Sequence, residues 1–153
     1  IELAKRMAET PTGWLVIHGA VGTGKTMIAR AILSQWAGKL RNPQTTTELL
    51  DYWRAKIGEG FEVAFYLDAD APLGVLDDLG SENVTPWAVE RLTEFFDWRY
   101  LRRLPMVITT NLDDVALAKH LGARIADRVF GQEDGFVRVV TLGGPSFRTG
   151  KTW

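Results

Sequence analysis

The sequence predicts an α/β fold: a three-layer α/β/α domain with a five-stranded parallel sheet covered on both faces. Three observations carry this. An apolar run, Trp14-Leu15-Val16-Ile17, leads into a glycine-rich loop and then into Met27-Ile28-Ala29-Arg30-Ala31-Ile32-Leu33, which reads as strand, loop, helix. Further short apolar runs at 73–77, 106–109 and 136–140 alternate with stretches of helical spacing, the pattern of parallel strands joined by crossover helices. With 153 residues, 46% hydrophobic and 24% charged, the chain has the size and composition of one globular domain, residues 1–153, with a single core.

The elements follow in order. Residues 1–9 read as a short helix stopped by Thr10-Pro11. The first strand is 14–18. The helix from Lys25 runs to about Ala37, where Gly38 can end it. In Leu40–Thr46, Pro43 restricts any strand to an edge or a short piece. Thr47–Arg54 has helical spacing, with Thr46 or Thr47 as its cap, and Gly58 and Gly60 break it. Phe61–Leu67 is equally compatible with strand and helix. Leu73–Asp77 is a buried strand, and 85–101 is a long amphipathic helix with Pro86 in its first turn. Met106–Thr109 is a strand, 113–119 and 123–129 are short helices, and Phe136–Val140 is the last strand.

Composition excludes several classes. There is no cysteine, hence no disulfide and no thiolate metal site. No apolar run is long enough to span a bilayer, and residues 1–10 lack the pattern of a signal peptide, so a cytoplasmic location is the default. The net charge of -1 offers no global basic field, and contact with nucleic acid would need a local patch. The chain opens at Ile1 in helical character without a Met, as a piece of a longer protein would.

Chemistry concentrates in Gly19-Ala20-Val21-Gly22-Thr23-Gly24-Lys25-Thr26, which fits G-x-x-x-x-G-K-[ST] at every fixed position, between a strand and a helix. Gly22 and Gly24 allow a tight bend that points consecutive N–H groups at phosphate oxygens. The helix start adds the positive end of its dipole. Lys25 brings a full charge to the β and γ phosphates, and the Thr26 hydroxyl is placed to ligate Mg²⁺. Leu73–Asp78 is an apolar strand ending in two carboxylates. Ligands of parallel α/β sheets sit at the carboxyl ends of strands. Asp77 would therefore lie beside the loop as a metal partner, and Asp78 could orient or deprotonate a water. Adjacent carboxylates repel unless a cation is near, so the pair itself points to a metal. Pro105–Asn111 is a second apolar strand with a polar end; Asn111 reads either as a donor to the water or γ-phosphate, or as a turn cap before Asp113-Asp114.

Taken together, the phosphate loop, Leu76-Asp77-Asp78-Leu79-Gly80, Ile108-Thr109-Thr110-Asn111, Arg124-Ile125-Ala126-Asp127-Arg128 and Ser146-Phe147-Arg148 resemble the AAA+ ATPases of the bacterial helicase-loader type (DnaC and DnaI) and their relative, the IstB transposition helper. The resemblance covers nearly the whole chain. It implies an AAA+ P-loop NTPase core that uses ATP and Mg²⁺. The nucleotide site would comprise Gly19, Gly22, Thr23, Gly24, Lys25, Thr26 and Met27. Asp77 and Asp78 would be the Walker B acids and Asn111 sensor 1. Arg128 would be the arginine finger acting on the ATP of a neighbouring subunit, and Arg148 the sensor 2 arginine. Glu82 and Trp87 sit where this group often carries similar residues, and take no assigned chemistry. A planar guanidinium suits the charge that builds on a γ-phosphoryl group. Arg124 and Arg128 share a helix face, which would otherwise be a solvated basic face paired with Asp127 or Glu133. Only 25 residues follow Arg128, too few for the helical lid of most AAA+ proteins. The loader group lacks a full lid, and the amino-terminal domain with which loaders grip their helicase has no counterpart in this sequence.

The resemblance also implies assembly into a helix or ring on single-stranded DNA. Residues 46–68 mix aromatic and basic side chains (Tyr52, Trp53, Arg54, Lys56, Phe61, Phe65, Tyr66). Helical spacing buries most of the aromatics, leaving Arg54 and Lys56 as the candidate phosphate contacts. Arg99, Arg102 and Arg103 read as a solvated basic helix end. Three functional readings stand beside that of a loader of a replicative helicase: an IstB-like helper of a transposase, a monomeric phosphate-loop kinase, and a binding module without hydrolysis. The motif order after residue 105 disfavours the kinase, and intact Lys25, Thr26, Asp77 and Asp78 disfavour the inert module.

Overall fold

The computed structural model describes residues 1–36 and 44–150. Among the described residues the order is α1 (Glu2–Glu9), β1 (Trp14–Gly19), α2 (Lys25–Gln35), β2 (Gln44–Thr45), α3 (Thr46–Ala55), α4 (Phe61–Ala69), β3 (Gly74–Leu79), α5 (Pro86–Leu101), β4 (Met106–Thr110), α6 (Asp114–Leu121), α7 (Ala123–Phe130) and β5 (Val137–Leu142). The sheet has five strands in the order β2-β3-β4-β1-β5, and every pairing is parallel.

Strand alternation divides the core. Leu15 and Ile17 of β1 and Val107 of β4 face α1 and α2, where they meet Met7, Ala29 and Ile32. Trp14, Val16 and Ile108 face the opposite layer, packing with residues of α3 to α7 such as Trp53, Phe65, Phe96 and Val129. Helices on both faces explain why the strands read as unbroken apolar runs.

Local chemistry sets the boundaries. Thr85 caps α5 by accepting from Ala88 N at 3.1 Å, with Pro86 at the first helical position. The cap of α3 is Thr45, not Thr46 or Thr47. Its hydroxyl accepts from Glu48 N at 3.1 Å while its own N–H donates to Glu48 Oε2 at 3.0 Å, a capping box. Phe61–Leu67 lies within α4, entered through Gly60 at φ 90°. α2 ends at Gln35, with Trp36 already extended at ψ 123°, short of the expected Ala37; Gly38 and the stretch Leu40–Pro43 lie outside the described residues. The two-residue β2 is a short edge strand, as expected for this stretch.

Arg99 corrects one expectation. It is fully buried rather than solvated, and its guanidinium donates to Ala69 O at 2.9 Å, Asp68 O at 3.2 Å and Pro105 O. Burial pulls it down to about 10, opposed by the charges of Asp70 and Asp68. Gly74 makes room for it: a Cβ there would stand 2.9 Å from Arg99 Cζ. Arg102 does lie at the surface, stacked over Trp98 at 3.2 Å, and Arg103 pairs with Asp134 at 2.8 Å. Arg99 thus ties the end of α4 to the start of β4. Arg99→Leu should lower unfolding free energy by roughly 2–5 kcal/mol, because buried carbonyls lose their donors. Urea denaturation measures this; a change under about 0.5 kcal/mol, typical of a surface position, would contradict it.

Candidate functional site

The loop between β1 and α2 is built by backbone conformation. Gly22 (φ 82°) and Gly24 (φ 91°) occupy the left-handed region, and Gly24 is the N-cap of α2, with no side chain to cap the helix. The first N–H groups of α2 therefore keep no side-chain partner at the cap. Lys25 is only 7% exposed. Its Nζ donates to Ala20 O at 2.6 Å and to Thr23 Oγ1 at 3.4 Å, and Thr23 Oγ1 donates to Ala20 O at 2.9 Å. Burial moves the Lys25 ammonium below its ordinary value; the Asp78 and Asp77 carboxylates oppose that shift and Arg148 adds to it.

Sheet order brings the acids to this loop. β4 lies between β1 and β3, so the carboxyl end of β3 faces the loop across one strand. Asp77 is 6% exposed. It accepts from Thr26 Oγ1 at 3.0 Å on each carboxylate oxygen, and from Thr109 Oγ1 of β4. Thr109 also accepts from Asp78 N at 2.8 Å, so one buried hydroxyl fixes both acids. The β3–β4 register shifts between Leu76 and Leu79, and Asp78 there has φ 58°. A side chain in this region is strained, and such strain collects at functional sites. The kink breaks the alternation that would send consecutive carboxylates to opposite faces.

Asn111 follows β4 and is exposed. The α6 cap is Asp113, accepting from Ala116 N at 2.7 Å. Glu82 is buried, accepts from Gly80 N at 2.9 Å, and places Oε1 3.7 Å from His120 Nε2 of α6. Burial pushes its carboxyl up.

Arg128 stands apart from this cluster. Its Nε donates to Asp97 Oδ1 of α5 at 2.8 Å, and its guanidinium lies 4.3 Å over the Tyr100 ring. Arg124 donates to the other Asp97 oxygen. The acid for this basic face is thus Asp97, neither Asp127 nor Glu133. Arg148 is exposed, with its charge felt at Lys25. The segment before it docks on the phosphate loop: Phe147 N donates to Gly22 O at 2.9 Å. A Cβ on Gly22 would overlap Ser146, which is 3% exposed. Of the DNA candidates, Arg54 is exposed, pairs with Asp51 at 3.0 Å and lies 4.9 Å over Trp87. Lys56 lies 5.7 Å over Tyr52. Trp53 and Phe65 are core residues.

The donor set suits a polyphosphate with a divalent cation. Left-handed glycines hold N–H groups free of side-chain bulk, Lys25 supplies charge, and Thr26 with Asp77 offers adjacent hard oxygens. Among the described residues no cluster of three or more His, Asp or Glu could hold a metal alone. The remaining ligands of a Mg²⁺ ion would be phosphate and water oxygens.

The loop after β1, the carboxylate at the end of β3 bonded to the loop threonine, and the polar end of β4 between them give this domain the α/β P-loop NTPase fold of AAA+ type. Solved structures share it. The chain is similar to the DnaC helicase loader (23% identity, TM-score 0.76, covering 92% of this chain and 86% of that one). It is similar to DnaI (23%, TM-score 0.73, 92% and 81%). It also resembles the replication initiator DnaA bound to AMPPCP and single-stranded DNA (16%, TM-score 0.78, 93% and 44%), so it spans less than half of that initiator chain. At these identities the likeness is one of fold. No protein-family model and no curated protein matches the chain.

Proposed function

We propose that this domain binds ATP with Mg²⁺, hydrolyses it, and uses the cycle to assemble on single-stranded DNA and load a replicative helicase. The observation that carries the reading is Asp77, bonded at once to the Thr26 hydroxyl of the phosphate loop and to Thr109 of the intervening strand. That junction brings the metal-binding carboxylate and the phosphate cradle to one point. The N–H groups from Gly22 to Thr26 and the Lys25 ammonium hold the β and γ phosphates, while Gly19, Thr23 and Met27 flank them. Thr26 and Asp77 would hold Mg²⁺, which would supply positive charge against the phosphate oxygens. Asp78, turned out of the strand by its left-handed backbone, orients the attacking water and takes its proton. Asn111 orients the same water from the end of β4, and Arg148 approaches the phosphates from the tail.

Arg128 acts on the neighbouring subunit's ATP in a helical or ring assembly. Asp97 holds its Nε and Tyr100 its face, leaving the outer guanidinium nitrogens for phosphate. The fold shared with DnaC, DnaI and a DNA-bound DnaA supports a replication role. An IstB-like transposase helper would use the same site; a kinase would need an acceptor pocket and no partner arginine.

Steady-state ATP turnover with and without single-stranded DNA tests the reading: weak alone, it should rise with DNA and protein concentration. Turnover independent of both would favour the monomeric kinase. In fluorescence anisotropy, an oligonucleotide should bind more tightly with ATP than with ADP, and binding should fall with salt. Charge reversal at Arg54 and Lys56 should weaken it. Absence of nucleotide dependence, or of binding at low salt, would count against loader and helper together.

A further inference from the structure

Glu82 is a buried carboxylate, 4% exposed, with no part in the steps above. One of its oxygens, Oε2, accepts from Gly80 N at 2.9 Å. The other, Oε1, has no hydrogen-bond partner, and neither has Nε2 of His120. These two atoms face each other at 3.7 Å, beyond hydrogen-bond length, and both are closed off from water. Burial pushes the Glu82 carboxyl up; its own N–H, the Gly80 N–H and His120 oppose that shift, and the Asp78 charge adds to it. A half-partnered buried acid lowers stability, so a turn with no further task has no use for one.

Asp78, four residues earlier, gives the acid a task. Its φ of 58° persists only where the surroundings enforce it. On the amino side, Asp78 N donates to Thr109 Oγ1 at 2.8 Å. On the carboxyl side, Asp78 O accepts from Ser81 Oγ at 2.8 Å and from Ser81 N at 3.3 Å. Gly80, at φ 102°, lies so close to Leu112 that a Cβ would stand 2.5 Å from its Cδ1. Glu82 closes this turn from within by holding Gly80 N, and His120 of α6 stands behind it.

We infer that Glu82 is a positioning residue for Asp78: anchored between the Gly80 N–H and His120, it holds the turn that aims the Asp78 carboxylate at the attacking water. The inference rests on the proposed hydrolysis at this site. Glu82 acts through Asp78 and not on the nucleotide, so its loss lowers the rate and spares the affinity.

The test is ATP turnover by the full chain at saturating Mg²⁺-ATP with single-stranded DNA, beside the affinity for a fluorescent ATP analogue. Glu82→Ala should slow turnover by about 10- to 10²-fold, as misplacing a catalytic group by about 1 Å does, with ATP affinity near that of the wild type. Glu82→Gln should restore most of the rate, because its amide oxygen accepts from Gly80 N and its amide N–H donates to His120 Nε2. Glu82→Asp keeps the charge but draws it back by one methylene, and should lose turnover as alanine does. It carries the test if a thermal melt shows the alanine variant unfolded. His120→Ala should slow turnover by a smaller factor. In an Asp78→Asn background, Glu82→Ala should slow turnover little further, since the two residues act as a unit. Unchanged turnover in Glu82→Asp, a glutamine variant as slow as alanine, or a loss that multiplies with that of Asp78→Asn would overturn the inference. Equal losses in turnover and in ATP affinity would overturn it too, and full turnover in His120→Ala would remove the histidine anchor. Failure of the underlying reading looks different: the wild type would not hydrolyse ATP, or Asp78→Asn would turn over as fast as the wild type, and the inference would fall with it.

Discussion

Lys25→Ala will abolish tight ATP binding and leave the fold in place. The Lys25 ammonium is buried at the loop, with Ala20 O and Thr23 Oγ1 of the same loop as its hydrogen-bond partners. It belongs to neither apolar cluster that builds the core. Losing a desolvated charge that, on the proposed reading, faces two phosphates would cost on the order of 10²-fold or more in affinity. Titration of a fluorescent ATP analogue with Mg²⁺ measures this, and a thermal melt checks the fold. Equal affinity in the two proteins would remove the nucleotide from this loop.

Asp78→Asn will bind ATP nearly as well as the wild type and hydrolyse it about 10²–10⁴-fold more slowly, the usual cost of losing a general base. Asparagine is a clean probe here. It keeps the size of the side chain, and it tolerates the left-handed backbone at φ 58° better than most residues. The Asp78 N–H bond to Thr109 is untouched, so Asp77 stays in place. Unchanged steady-state turnover would make Asp78 a turn residue of the bulge.

The fold was readable because its signals are local. A strand buried on both faces is a short apolar run, a glycine loop before a helix has a fixed spacing, and Thr85-Pro86 marks a helix start. The place of the glycine loop between β1 and α2 is readable from its spacing alone. What escaped reading depends on partners far along the chain. Thr109 looked like the tail of a strand, yet it joins both acids across a gap of about thirty residues. Arg99 looked like a solvated helix end. Its burial depends on the missing side chain of Gly74, on another element. Asp97, the partner of Arg124 and Arg128, sits on α5, beyond any helical spacing from α7. Phe61–Leu67 is apolar except at Glu62, and α4 carries apolar residues on its exposed face (Val63, Leu67) as well as its buried one (Ala64, Phe65), so no period separates strand from helix. The capping box at Thr45 and Glu48 was legible in its T-x-x-E spacing, one residue before the cap expected at Thr46 or Thr47.

Cooperation between subunits is measured by mixing two inactive proteins, Arg128→Ala and Asp78→Asn, with single-stranded DNA at high protein concentration. Each alone should bind ATP and fail to hydrolyse it. The mixture should regain ATPase activity, because on the proposed arrangement a mixed interface would join the intact Asp78 of one subunit to the intact Arg128 of the next. A monomeric kinase has no such route. A mixture that stays inactive while the wild type turns over would contradict the arrangement, leaving Arg128 as an internal contact of Asp97 and Tyr100.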